Sequence, residues 1–195
     1  MSLLHDVQKN LGYAPLIKID ITTDAPLNTD DDTRVDKFGQ AAIPAILIGI
    51  YEYSKTEIGA EELLKATAAD DWMLKIFAEK RKQILEAILT YNQPTLPNPM
   101  QKLEAIADEA IMLINEAIGK DADSAKLISY LEAQKTEILL YLLPDLQMGV
   151  LLNNTVLDDD INKMEGPISS LMKNIGGAFS NHEAKTDLEK KEANF

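Results

Sequence analysis

The most informative stretch of this sequence is IPAILIGIYEY at residues 43–53, where Glu52 is the only charged residue. Such an apolar run is unsuited to a loop. Apolar residues recur at three-to-four-residue spacing from Asp30 to Ser54, which predicts a helix over that range. Because Pro44 removes one backbone hydrogen bond and its ring collides with the preceding turn, we predict a kink or a break there.

A second stretch, LPDLQMGVLLN at residues 143–153, repeats this arrangement one hundred positions later. Each stretch has a proline followed five residues later by a glycine, so that Pro44 and Gly49 correspond to Pro144 and Gly149. Four neighbouring apolar positions also match. These matches predict an internal duplication, in which two similar kinked helices meet in one core and each glycine lets another helix approach closely.

Most of the remaining sequence has the apolar spacing of helices. Ser2 is expected to begin a short first helix, and Gly12 to end it. Residues 70–91 are expected to form one long helix, with Trp72 and Phe77 near its start as core anchors.

A proline-rich linker at 93–97 precedes the next predicted helix. Asn98 with Pro99 is a common helix start, and Gly119 is a common helix end. Between them runs a heptad stripe whose alanines allow close approach of another helix. The stripe consists of Met100, Leu103, Ala107, Ala110, Ile114 and Ala117. A further helix is expected to begin near Asp123.

Residues 16–22 have a different pattern. Ile17, Ile19 and Ile21 alternate with polar residues, which is the period of a half-buried strand. No second strand is evident in the sequence, so the segment either lies as an extended arm over the helices or pairs with its own copy in a dimer. We favour the extended arm.

Two triple-aspartate clusters, at 30–32 and 158–160, look like metal-binding motifs. A calcium loop of the EF-hand type requires spaced oxygen ligands, a central glycine and a distal glutamate, and neither cluster has that spacing. Each cluster instead lies where a helical pattern begins, and negative charge is favourable at that end of a helix. We therefore interpret Thr29, Asp32 and Asp158 as helix-capping residues.

Together these patterns predict an all-α protein, a compact multi-helix bundle with an extended N-terminal arm. Residues 1–180 are expected to form a single domain. It is divisible into two pseudo-repeats, 1–92 and 98–180, which the proline-rich linker joins. The polar residues 181–195 are expected to be a disordered tail.

Composition argues against several classes of function. The 195 residues include 19 basic and 32 acidic side chains, for a formal net charge of −13, and no cysteine. Negative charge of this size disfavours nucleic-acid binding. No apolar run reaches the ~20 residues of a membrane span. Because cysteine and a secretory-signal pattern are both missing from the sequence, we expect a cytoplasmic protein.

Residues suited to catalysis are sparse. The two histidines, His5 and His182, lie in the short first helix and in the expected tail, so a His-based metal site or triad would require an exposed end. Carboxylate pairs such as Glu104 and Asp108 are expected to face solvent. The sequence therefore predicts no catalytic, cofactor-binding or metal-binding residues, and a protein that is not an enzyme.

Three segments together resemble a known family. The N-terminal LLHDVQKNLG is followed, after a connection, by FGQAAIPAILIGIYEYSKTEIGAEELLKA, and a later MKNIGGAF is glycine-rich. This order is similar to the bacterial YidB-like group of helical proteins, over residues 1–77 and more faintly over 135–180. The matching positions are Ala42, Pro44, Ala45, Ile46, Leu47, Gly49, Gly59, Ala60, Leu63, Leu64, Gly176 and Gly177. The resemblance implies a helical fold and a bacterial origin, and it brings no catalytic residues with it.

Two functions are compatible with the sequence. The first is a non-enzymatic scaffold or protein-interaction module, which self-associates or binds another protein; the apolar repeat and the alanine-lined heptad stripe favour it. The alternative is a binding protein for a small apolar or lipid-like ligand held between the two Pro–Gly units, since paired kinked helices can leave a cavity between them.

Overall fold

The computed structural model describes residues 2–19, 36–67, 70–91 and 96–154. Within these ranges the chain forms eight α-helices and two short 3-10 turns, and no strand. The helices are α1 (Leu3–Asn10), α2 (Lys37–Ser54), α3 (Glu57–Leu64), α4 (Trp72–Phe77), α5 (Arg81–Thr90), α6 (Pro99–Ile118), α7 (Ser124–Leu139) and α8 (Met148–Leu152). The 3-10 turns are Ala78–Lys80 and Pro144–Leu146. The prediction of an all-α helical bundle is confirmed.

Helix α2 lies at the centre of the bundle. Every residue from Phe38 to Tyr51 is buried, so the helix is covered on all sides rather than on one stripe. It packs against each of the other seven helices of the described chain. The apolar run at 43–53 is therefore a fully buried central helix.

The boundaries and continuity of α2 differ from the sequence prediction. The helix begins at Lys37 rather than near residue 30, and the Asp36 carboxylate caps it by accepting hydrogen bonds from the N–H groups of Phe38 and Gly39 at 3.1 and 3.0 Å. It also continues through Pro44 to Ser54, which excludes a break there, and a kink at Pro44 stays a prediction. An interior proline costs about 3 kcal/mol, and burial of apolar side chains all around the helix offsets that cost.

Residues 70–91 do not form one helix. Helix α4 ends at Phe77, and Ala78, with a positive φ of 47° and a ψ of −125°, begins the 3-10 turn that leads into α5. Phe77 fills the space beside Gly49 of α2, where an added Cβ would overlap the Phe77 ring. Trp72 and Phe77 are both buried, which confirms them as core anchors.

The second Pro–Gly stretch does not form a second kinked helix. Pro144 opens a 3-10 turn, and Gln147 in a left-handed conformation (φ 48°) separates this turn from the five-residue α8, which contains Gly149. Pro44 and Gly49 share one continuous helix, whereas Pro144 and Gly149 lie on two different elements, so the expected equivalence of their backbone positions is wrong. The internal duplication, with pseudo-repeats 1–92 and 98–180, stays a prediction.

The heptad stripe of α6 faces the interior for most of its length. Its four central residues are buried, Met100 is half-buried and Ala117 is exposed, and the last turn buries Ile118 instead. The stripe rotates away because a straight α-helix has 3.6 residues per turn and a heptad repeat implies 3.5. Gly119, with φ of 82°, ends α6 as predicted.

Residues 16–19, which are the described part of the arm predicted at 16–22, have neither helical nor strand pairing within the described chain. The side chain of Gln40 in α2, only 1% exposed, holds this part of the arm. Its Oε1 accepts the Ile17 N–H at 2.7 Å, and its Nε2 donates to the carbonyls of Ile17 and Tyr141 at 3.0 and 3.2 Å. The Ile19 N–H also donates to the Leu140 carbonyl at 2.9 Å. We call this set of contacts the Gln40 clamp.

Several sequence predictions lie outside the described residues. They are the capping roles of Thr29, Asp32 and Asp158, the end of the arm at 20–22, most of the linker at 93–97, the helical pattern at 158–175 and the tail at 181–195. Within the described ranges, no helix combines the length and the hydropathy that crossing a membrane requires.

Candidate functional site: a carboxylate cluster between helices α4 and α6

The strongest concentration of ionisable groups lies where α4 begins against α6. Glu104 is half-buried on α6, one residue from the buried Leu103. Its Oε2 accepts the Trp72 N–H at 3.1 Å, and its Oε1 accepts the Met73 N–H at 3.0 Å. The first N–H groups of a helix have no partner within the helix, so Glu104 caps α4 from a neighbouring helix.

Asp71 caps the same end of α4 from within the chain. Its Oδ1 accepts the Leu74 N–H at 2.8 Å, and its Oδ2 lies 3.2 Å from Nη1 of Arg81 at the start of α5. Two carboxyl groups therefore share the N-terminal turn of a six-residue helix. The partial positive charge at a helix N-terminus favours both.

Asp71 and Glu104 are close enough at this end of α4 for each to affect the pKa of the other. Burial, together with the bond to Asp71 and its negative charge, raises the pKa of Glu104 to about 7. The bonds from Glu104 and from the Leu74 N–H, with the positive charge of Arg81, lower the pKa of Asp71.

Two further aspartates extend the cluster. Burial and the negative charge of Asp70 raise the pKa of Asp108. Asp70 accepts from Lys75, whose Nζ lies 2.8 Å from its Oδ1, and from Thr67, and these bonds lower the pKa of Asp70 to about 2. Lys75 also lies 3.4 Å from Oε1 of Glu62 on α3. The cluster thus runs from the half-buried carboxyl group of Glu104 into an ion-paired rim.

Chemically, Asp71 and Glu104 resemble an acid–base pair, because their pKa values are shifted in opposite directions. A surface cleft of about 530 Å³ is lined by Asp70 and Lys75 but not by Glu104. Both oxygens of Glu104 are bonded to backbone N–H groups. The pair therefore acts in the contact between two helices rather than toward an open cleft.

Sequence reasoning missed this pair. It placed Glu104 in a solvent-facing pair with Asp108, whereas Glu104 is half-buried and its partner is Asp71, which lies 33 positions earlier. The only local indication was that Glu104 lies at the edge of the heptad stripe, between Leu103 and Ala107. An acidic side chain at the border of a buried stripe is positioned to reach a neighbouring helix.

His5 has contacts that superficially suggest a catalytic triad. Its Nδ1 lies 2.8 Å from the Ser2 hydroxyl and 3.4 Å from Oε1 of Glu137, and its Nε2 lies 3.3 Å from the Tyr141 hydroxyl. In a triad the serine and the acid contact opposite ring nitrogens, and here both contact Nδ1. Ser2 is the cap of α1, as predicted, so these bonds join α1 to the C-terminal end of α7.

The described residues next to Gly49 form a cleft whose lining is mainly polar. Phe77 fills the space beside Gly49, and the cleft of about 410 Å³ that remains next to Gly49 reaches Leu152 of α8. Six of its nine lining residues are polar: Glu52, Tyr53, Lys55, Thr56, Asn153 and Asn154. This lining suits a small apolar or lipid-like ligand poorly.

In the described part of the chain, no group of three His, Cys, Asp or Glu side chains is arranged to hold a metal ion. Comparison with protein-family models, with curated proteins and with solved structures finds no match to this chain. The geometry of the bundle is therefore the basis for any functional assignment.

Proposed function

We propose that this protein is a non-enzymatic helical scaffold that self-associates, with binding of another protein as the variant of the same role. The proposal is supported by where the polar and the apolar side chains lie in the bundle. The candidate acid–base groups hold helices together: Glu104 and Asp71 cap α4, and His5 joins α1 to α7. Large apolar side chains, in contrast, project into solvent.

These exposed apolar side chains come from five different elements. They are Ile17 of the arm, Ile58 of α3, Leu74 of α4, Met112 of α6 and Val150 of α8. Ile58 is 71% exposed and Val150 is 61% exposed. The alanine-lined stripe of α6, which the sequence favoured as an association surface, is buried against α1 and α2, so any contact with a second copy must use other residues.

Ile58 has the surroundings of an interface residue. It lies at the 530 Å³ cleft, among charged side chains that include Glu57, Glu61 and Lys65. An apolar centre with a polar rim is the usual anatomy of a protein–protein contact. The charged rim also disfavours burial of Ile58 in the absence of a complementary surface.

We also propose a cellular location and an origin for the protein. We place the protein in the bacterial cytoplasm, supported by the cysteine-free composition and the resemblance to the YidB-like group. The net charge of −13 supports a protein partner over a nucleic acid.

Mass in solution, measured over a wide range of protein concentration, tests the proposal. We expect a species larger than the monomer at high concentration, and Ile58→Asp and Val150→Asp are expected to weaken association roughly tenfold or more by placing a charge in the contact. Gln83→Asp, which adds the same charge at an exposed α5 position, is the matched control and should leave the mass unchanged. A strict monomer at every concentration would contradict self-association.

A further inference from the structure

We propose that a second copy of this chain docks beside the corner between α2 and α3, in a twofold dimer that pairs an acidic patch of each copy with a basic patch of the other. The acidic patch consists of Glu57, Ile58 and Glu61 on α3, and the basic patch consists of Lys80 and Val150. This inference rests on the proposed self-association and names the surfaces that carry it.

The acidic patch combines an exposed apolar side chain with uncompensated negative charge. Ile58 is 71% exposed, and Glu57 and Glu61 line the cleft of about 530 Å³ beside it. Lys65 lies 3.1 Å from Glu61, but among the described residues no cationic side chain forms an ion pair with Glu57. The lining of this cleft has four acidic and two basic side chains, so the surface around Ile58 is negative.

The basic patch has an exposed apolar side chain beside an uncompensated positive charge. Val150 is 61% exposed, and Nζ of Lys80 lies 3.1 Å from its carbonyl oxygen and 2.5 Å from Oδ1 of Asn153. A lysine ammonium has three donors, so these two bonds leave one donor for a second molecule. In the part of the chain that the structure describes, no carboxylate forms an ion pair with Lys80, and Glu52, nearby, is paired with Lys55 at 2.7 Å.

The two patches adjoin at the turn that joins α2 to α3. Lys55 and Thr56 line the cleft next to Gly49, and Asn153, which Lys80 contacts, lines the same cleft. The next two residues of the chain, Glu57 and Ile58, line the cleft of about 530 Å³. Both clefts therefore open beside one corner of the bundle.

Two adjoining patches of opposite charge are self-complementary under a twofold axis. In such a contact, residue i of one copy meets residue j of the other, and residue j of the first meets residue i of the second. The pairing of an acidic with a basic patch therefore occurs twice in each dimer, and both patches of both copies are covered. A third copy finds no open patch, so association stops at the dimer.

Charge complementarity favours a second copy as the occupant of this corner. The net charge of −13 makes two copies repel each other at long range, so a contact between them requires opposite charges where they touch. Glu57 and Lys80 supply those charges, and Ile58 and Val150 supply apolar surface to bury. The chain thus carries both halves of the complement.

Sedimentation equilibrium of the full-length protein measures both the dissociation constant and the largest mass. We expect the mass to level off at twice that of the monomer. Glu57→Lys and Lys80→Glu should each weaken the dimer roughly tenfold or more, because each change places like charges in both copies of the contact. Glu57→Lys and Lys80→Glu together in one chain restore opposite charges and should recover most of the lost affinity.

Mixing the two single variants separates a contact between chains from damage within one chain. In the mixed dimer, the new lysine at 57 meets the new glutamate at 80, and the native Lys80 meets the native Glu57. The mixture should therefore dimerise at a concentration at which neither variant does so alone. A weakening that came only from the lost bonds of Lys80 to α8 would not be repaired by mixing.

Lys9→Glu is the matched control for Lys80→Glu, because it makes the same change at an exposed position of α1, which packs mainly against α2, α6 and α7. It should leave the dissociation constant unchanged, and its mixture with Glu57→Lys should show no recovery. Self-association that ignores both charge reversals, that is not recovered in the mixture, or that grows beyond the dimer would overturn this inference and leave the proposed function standing. A strict monomer at every concentration would overturn both.

Discussion

At the scale of single residues, the clearest finding is how one side-chain amide replaces a missing strand. Ile17 has the alternation of a strand, and Gln40 supplies the pairing that a neighbouring strand would normally give by bonding to both its N–H and its carbonyl. Gln40 also bonds to Tyr141, so it links the arm, α2 and the end of α7. A buried amide with all three bonds satisfied contributes to a unique arrangement of these segments.

Gln40→Leu tests the Gln40 clamp. The change leaves the Ile17 N–H and carbonyl and the Tyr141 carbonyl without their partner, so we expect the free energy of unfolding to fall by about 3 kcal/mol. Urea denaturation measures it. Gln83→Leu, at an exposed position of α5, should change stability by less than about 0.5 kcal/mol, and an equally small effect of Gln40→Leu would contradict the clamp.

At the scale of elements, sequence reasoning succeeded where a helix end is marked by its own residues. Ser2, Gly12 and Gly119 were identified because capping oxygens and left-handed glycines act within a few positions. Sequence reasoning failed to predict the turns at Ala78 and Gln147. Neither residue type favours a positive φ, but both adopt one here because the packing of Phe77 and Met148 requires the turn. Such turns are imposed by the tertiary structure and leave no local pattern.

Ala78→Gly measures the strain at the bend between α4 and α5. A backbone with φ of 47° and ψ of −125° is strained for alanine and readily adopted by glycine. We therefore expect the variant to be more stable by about 1 kcal/mol. The same substitution at Ala87, inside α5, should instead destabilise by about 1 kcal/mol. Thermal or urea unfolding separates the two, and a destabilised Ala78→Gly would show that the bend is unstrained.

At the scale of the whole molecule, the fold class followed from apolar spacing, but the arrangement of the candidate site did not. Asp71 and Glu104 are far apart in the sequence, and their meeting depends on how α4 packs against α6. The predicted second kinked helix failed for a similar reason, because matching Pro and Gly positions do not fix the backbone when a residue such as Gln147 ends the helix between them.

The raised pKa of Glu104 has a consequence for overall stability. The pKa of Glu104 is raised from 4.5 to about 7 in the folded protein, so between these pH values the folded chain holds a proton that the unfolded chain has lost. The free energy of unfolding should therefore decrease as the pH rises across this window, by about 1 kcal/mol once the partial exposure of Glu104 is allowed for.

Denaturation at a series of pH values measures this slope, and comparison with Glu104→Gln isolates the contribution of Glu104 from that of the remaining charges. The variant should lack this part of the slope. The lowered pKa of Asp71 has the opposite effect. It stabilises the folded protein above the ordinary pKa of 3.8, and this stabilisation is lost as the pH falls below that value. Parallel curves for the wild type and Glu104→Gln would show that Glu104 titrates alike in the folded and unfolded chains.

The position of α2 sets the limits on motion in this molecule. Since α2 contacts the seven other helices of the described chain, any two of those helices share α2 as a common neighbour. A displacement of α2 would disturb all of them at once, so the bundle has no plane along which two halves can slide. Movement is left to short pieces at the periphery of the bundle.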